Sequence, residues 1–98
     1  MNVEFEDKNL DRLEIDTGFD GGWPQAIVRA FRKLMNMIRQ APDDRVFRNS
    51  RGVHYEKLEG DRKGQHSMRL NDQYRLLIRI KQLDNRKTVV IMGIEDYH

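Results

Sequence analysis

The sequence predicts an α+β fold: an antiparallel twisted sheet with two N-terminal helices packed on one face, in the order β-α-α-β-β-β-β. Three observations predict it. Ile27, Phe31, Leu34 and Ile38 recur at spacings of 4, 3 and 4, the stripe of one buried helix face. From Val53 onward apolar residues alternate with polar ones, as strands require. The strands so read are separated by short polar turns, which favour an antiparallel meander. With 98 residues there is room for a single domain over residues 1–98 and one modest core.

Asn2 to Phe5 alternates and reads as the first strand. Asp7 is suited to cap a helix from Lys8 to about Asp16, with Leu10 and Leu13 turned inward. Gly18 to Pro24 is a glycine-rich connection in which Trp23 is an expected anchor, and Pro24 fits the first position of a second helix. That helix must stop near Ala41, because the residue before Pro42 is disfavoured in helical geometry. Its outward face carries Arg29, Arg32, Lys33 and Arg39, and residues 24–41 contain no acid, so the face suits RNA or an acidic partner as well as solvent.

The remaining strands are read as Val53 to Leu58, Gln65 to Leu70, Tyr74 to Lys81, and Lys87 to about Glu95. Gly60 to Gly64, Asn71–Asp72 and Asp84–Asn85 supply the turns. Phe5, Phe31 and Tyr74 fall at packing positions, and His66 lies on the apolar side of its strand, as a packed histidine would.

Composition excludes several chemistries. There are no cysteines, hence no disulfide, thiolate zinc site or cysteine nucleophile. His54, His66 and His98 show no paired metal-ligand spacing, so no metal or other cofactor is expected. No Gly-x-Ser-x-Gly elbow occurs, and Ser50 and Ser67 lie in unremarkable settings. Gly60 to Gly64 reads as a basic hairpin turn, since a phosphate loop would carry a following Ser or Thr. The longest apolar run, Val89 to Met92, has four residues, whereas a membrane span needs about 20. The N-terminal residues are acidic, unlike a secretory signal. A soluble, cytoplasmic protein without membrane contact is expected.

The net charge of +2 conceals an asymmetry: residues 1–44 balance at −3 and residues 45–98 at +5, with +6 inside 45–81. A basic half on a nearly neutral chain is a surface for polyanions. Within it Arg69 and Arg75 are expected on neighbouring strands, facing away from the apolar side, with Arg79 extending the row; planar guanidinium forks suit phosphate. The ending, Glu95 to His98 (EDYH), sets a histidine beside a tyrosine, a carboxylate and the α-carboxylate, whose negative charge favours the imidazolium. Those are parts for general acid–base work.

Two stretches carry a family resemblance. Gly52 to Arg75 (GVHYEKLEGDRKGQHSMRLNDQYR) contains the run Ser67, Arg69, Asn71, Arg75, and Glu95 to His98 follows in the right order. Together they resemble the signature of HigB-type toxins of the RelE superfamily, along essentially the whole chain. The resemblance implies a RelE-like fold and a ribosome-dependent, metal-independent mRNA endonuclease that inhibits translation. It implies as partners a helix-turn-helix, HigA-like antitoxin, the ribosome with bound mRNA, and operator DNA only through the antitoxin. On this reading Arg75 stabilises charge on the phosphate, His98 transfers a proton, Tyr97 stacks on or hydrogen-bonds the RNA, and Asp96 orients them. Lys57, Arg62, Lys63 and Arg69 would hold the RNA backbone. The chain departs from some members in having Glu56 and Glu59 where they carry histidine and lysine, with His54 and Lys57 nearby but out of phase, which leaves the general base open. Two other readings share parts of this pattern: a ParE-like DNA gyrase poison, which would not need His98, and a non-enzymatic nucleic-acid-binding member of a toxin–antitoxin repressor complex.

Overall fold

In the computed structural model, which describes residues 1–97, the chain runs β1 (Asn2–Phe5), α1 (Lys8–Ile15), α2 (Gln25–Gln40), α3 (Arg45–Asn49), β2 (Glu56–Lys57), β3 (Gln65–Arg69), β4 (Tyr74–Leu83) and β5 (Arg86–Asp96), with single 3₁₀ turns at Arg51–Val53 and Gly60–Arg62. The strands form one sheet in the order β1-β5-β4-β3-β2. Among the described residues no helix is long and apolar enough to cross a membrane.

The helices form where the sequence places them. Asp7 accepts a hydrogen bond from the Asn9 N–H and caps α1. In α2 the stripe Ile27, Val28, Phe31, Leu34, Met35 and Ile38 is buried. Pro24 is the residue just before α2 rather than its first, a shift of one position that keeps its missing N–H out of the ladder. Against the sheet the stripe meets Met68, Leu76, Ile78, Val89 and Ile91, with Leu10 and Leu13 from α1 and Phe47 from α3 completing the core. Trp23 packs edge-on to Tyr74 at 5.4 Å and closes that end.

Four differences from the expectation have physical causes. The sheet is mixed: β1 joins the edge parallel to β5, with Val3 opposite Val89 and Phe5 opposite Ile91. Two helices between β1 and the rest of the sheet give the chain the long crossover that parallel pairing needs. Second, α3 is a third helix, too short for a stripe to show; the Asp43 carboxylate accepts its first N–H, from Arg45. Third, the strand expected over Val53 to Leu58 shrinks to Glu56–Lys57, because Val53 ends a 3₁₀ turn and His54 takes a left-handed φ of 46°. Finally, β4 runs two residues further than expected, to a two-residue turn with left-handed Asp84 and Asn85, which suits the twist of a hairpin.

One irregularity sets the site. The β4–β5 register pairs Ile78 with Ile91 but Leu77 with Gly93, so Met92 is left over as a bulge. A bulge reverses which side chains face which side. Before it, Val89 and Ile91 face the helices; after it Ile94 does, and Glu95 and Tyr97 emerge on the opposite, open face.

Candidate functional site

The open face has two halves. On β1, β5 and β4 it is closed by cross-strand ion pairs, Arg79 to Glu6 at 3.1 Å and Lys81 to Glu4 at 3.4 Å. Val90, in register with both Glu4 and Arg79, is only 1% exposed beneath them. On the other half, where β3, β4 and the end of β5 meet, there is a cavity of about 230 Å³. Its walls include Leu58, Leu77, Ser67, Arg62, Arg75, Glu95, Asp96 and Tyr97.

Each polar wall residue is held differently. Arg75 donates one guanidinium nitrogen to the Asn71 carbonyl at 2.5 Å and to the Tyr74 carbonyl at 3.2 Å, which pins that side of the fork to the turn. The same guanidinium lies 4.3 Å from the Tyr97 ring centroid. Tyr97 is 52% exposed, and its N–H donates to the Gln73 carbonyl, so its backbone extends the sheet. Arg62 forks onto Glu95 with distances of 2.5 and 2.6 Å, a partnership that raises the guanidinium's proton affinity further. Asp96 accepts from the Gln73 side-chain amide at 3.2 Å.

Ser67, to which the sequence reading gives no role of its own, lines the same cavity. Its side chain is 3% exposed, and its hydroxyl has no hydrogen-bond partner among the described residues. An alternating strand gives a serine no distinction; only the register, Ser67 opposite Leu77, sets it at the cavity.

The expected site residues therefore divide. Arg62, Arg75, Asp96 and Tyr97 line one cavity. Arg69 is opposite Arg75 in register, but its guanidinium pairs with Asp72 and the residue lines a separate groove with Lys33, Leu34, Met37 and Leu70. Arg79 is engaged by Glu6. Lys57, in register with His66, and Lys63 are exposed and do not line the cavity. Glu56 is in register with Ser67, while Glu59 precedes the Gly60–Arg62 turn; both are exposed and neither lines the cavity. His98 lies outside the described residues.

Two other expectations resolve through packing. His66 stacks on Tyr55 with centroids 4.6 Å apart and rings 2° from parallel, and Phe47 meets Tyr55 edge-on. Burial, then the Arg48 charge, lowers the His66 pKa, and burial pushes the Tyr55 phenol up to about 12, so both stay neutral near pH 7. Of the basic face of α2, Arg32 and Arg39 are turned to the chain itself. Arg32 donates to the carbonyls of Leu13, Asp16 and Phe19, and Arg39 forks onto Glu14 at 2.6 and 2.7 Å. Arg29 and Lys33 remain for a partner.

Comparison with known proteins agrees with this architecture. Residues 3–98 match the family model of the RelE-like toxin of the type II toxin–antitoxin system HigB. Toxin HigB-1 of Vibrio cholerae serotype O1 is 34% identical over 77 residues, covering 79% of this chain and 81% of that protein. Among solved structures, the YoeB/ParE toxin from Agrobacterium tumefaciens superposes with a TM-score of 0.64 at 17% identity, over the whole of both chains. A chain of the YoeB–YefM complex from Staphylococcus aureus does so with a TM-score of 0.60 at 20% identity, over all of this chain and 97% of that one. At these identities the structural likeness speaks to the fold.

Proposed function

The chain belongs to the HigB-like family of RelE-like toxins of type II toxin–antitoxin systems, and we propose that it is a ribosome-dependent mRNA endonuclease. The observation that carries this reading is the Arg75 guanidinium, pinned on one side and set against the Tyr97 ring at the cavity. Such an arrangement offers a fixed positive charge beside a platform on which a base can stack.

The chemistry needs only proton transfer and charge stabilisation. The ribose 2′-OH attacks the adjacent phosphorus, giving its proton to a base. The P–O5′ bond breaks, an acid protonates the leaving 5′-oxygen, and a 2′,3′-cyclic phosphate remains. Arg75 faces the non-bridging oxygens, on which negative charge grows in the transition state. His98 transfers a proton, Tyr97 stacks on the RNA, and Asp96 helps orient them. Lys57, Lys63 and Arg69 contact the backbone of mRNA or ribosomal RNA, and Arg62 does so from the cavity wall. Glu56 and Glu59 do not line the cavity, so neither is assigned as the base.

The partner that restrains this activity is an antitoxin, of the helix-turn-helix, HigA-like kind, and operator DNA is reached through it. A complexed neighbour of the same fold supports the antitoxin. The test is to induce the wild type and a form lacking His98 in cells and map mRNA 5′ ends by primer extension. Cuts within translated frames, absent when initiation is blocked and absent without His98, are expected. Growth arrest with intact mRNA would overturn the nuclease reading in favour of a gyrase poison.

A further inference from the structure

We propose that the Arg62–Glu95 ion pair is the closed form of the cavity, and that an RNA phosphodiester replaces Glu95 on Arg62 while accepting a hydrogen bond from the Ser67 hydroxyl. The inference rests on the nuclease reading and gives two residues, Ser67 and Glu95, roles which that reading leaves unassigned.

The first support is the orphaned hydroxyl. Buried hydroxyls are nearly always hydrogen-bonded, and those that are not call for a reason. Three buried side-chain polar atoms among the described residues lack partners: the Tyr55 hydroxyl, His66 Nδ1 and Ser67 Oγ. The first two belong to one aromatic stack. Ser67 alone of the three residues lines the cavity, beside two guanidinium-bearing residues. A hydroxyl left unpaired there is a donor held ready for an acceptor that arrives from outside.

The second support is the geometry of the ion pair. Arg62 meets Glu95 fork to fork, with both of its terminal nitrogens engaged at 2.5 and 2.6 Å. Carboxylate and phosphate each offer two oxygens on one edge, so a phosphate can take over both hydrogen bonds without any change in the guanidinium's preferred geometry. Both residues are roughly half exposed, which keeps the pair exchangeable. Arg75, in register with Glu95, contributes the third donor of the same wall, with its untethered side bare of hydrogen bonds among the described residues. Arg62, Ser67 and Arg75 thus surround one volume with donors, and the carboxylate of Glu95 marks where an anion is held.

The exchange is tested by binding, apart from cleavage. The full chain is titrated with a trinucleotide whose riboses are 2′-O-methylated, so no attacking hydroxyl exists, and with the same trinucleotide carrying uncharged methylphosphonate links. Ser67→Ala is expected to weaken phosphodiester binding about tenfold, the scale of one hydrogen bond to a charged group. Its melting temperature stays level or rises, because a buried unpaired hydroxyl has been removed. A merely structural serine would not give that combination. Glu95→Gln is expected to tighten binding several-fold, since the phosphate no longer displaces a charged competitor, and the methylphosphonate form should bind far more weakly to every variant.

Unchanged affinity in Ser67→Ala, unchanged or weaker affinity in Glu95→Gln, or equal binding of the uncharged trinucleotide each overturns the proposal. A wild type that binds with these shifts but cuts no mRNA on ribosomes keeps the pocket and removes the nuclease reading. A wild type that cuts mRNA while Ser67→Ala binds and cuts equally well does the reverse.

Discussion

Arg75 combines two tasks that a lysine cannot share out. One terminal nitrogen holds the carbonyls of Asn71 and Tyr74, and the remaining edge stays available beside Tyr97. A lysine keeps the charge but has a single ammonium, so it can cap the turn or face the phosphate. Arg75→Lys should therefore reduce ribosome-dependent cleavage by about 10²–10³-fold, the usual effect of losing one positioned donor to a developing oxyanion. The lost turn contacts cost about 1 kcal/mol, lowering the melting temperature by roughly 4–8 °C. Cleavage assayed well below the melting range, alongside a thermal melt, separates the two effects. Cleavage within threefold of wild type would remove Arg75 from the charge-stabilising role. The residue was legible in sequence because arginine in a phosphate-binding pattern is a chemical signal. Ser67 was not, because what distinguishes it is an unsatisfied hydroxyl, and satisfaction is a property of the assembled neighbourhood.

At the level of elements, legibility followed length and locality. The 16-residue α2 shows its stripe over more than four turns, so its existence, face and end near Pro42 can be read directly. The five-residue α3 has too few turns for periodicity, and β1's parallel partner lies more than eighty residues away, where local turns say nothing. The bulge at Met92 left a faint trace: Ile91 and Ile94 are three apart where an unbroken strand would space its core residues by two. The basic face of α2 misled for a related reason, since charge on a helix does not say which neighbour will use it. Arg32 crosses to the C-terminal end of α1, where free carbonyls and the negative end of the helix dipole gather, and bonds the carbonyls of Leu13, Asp16 and Phe19 at 3.0, 3.1 and 3.3 Å. Arg32→Ala should cost about 2 kcal/mol and lower the melting temperature by roughly 10 °C. Lys33→Ala, on the same helix without such contacts, should stay within about 0.5 kcal/mol. Equal melting temperatures for the two variants would mean that Arg32 does not staple the helices.

Across the whole molecule, folding redistributes the charge that the sequence divides into halves. Acids of the first half settle on bases of the second: Glu4 on Lys81, Glu6 on Arg79, Asp44 on Lys87. The Lys87 hydrogen bond and the nearby charges of Lys87 and Arg48 hold the Asp44 carboxyl below the usual range, which favours its charged, paired form. Neutralisation is thereby concentrated toward the β1–β5 edge. Toward β2 and β3, the described Arg51, Lys57 and Lys63 make no ion pair, and neither do Glu56, Glu59 and Asp61 of the same stretch, so these cations are held by no fixed partner. Each phosphate that one of these lysines neutralises releases counterions. Lys57→Ala with Lys63→Ala should weaken association with programmed ribosomes alike for every codon in the A site. The slope of log affinity against log salt should flatten by about 1.4–1.8, or 0.7–0.9 per lost phosphate contact. Arg86→Ala, at the start of β5 and so at the opposite end of that strand from the cavity, should leave the slope unchanged. If the double substitution leaves the slope intact, or Arg86→Ala changes it as much, the ribosome is not approached through this end of the sheet.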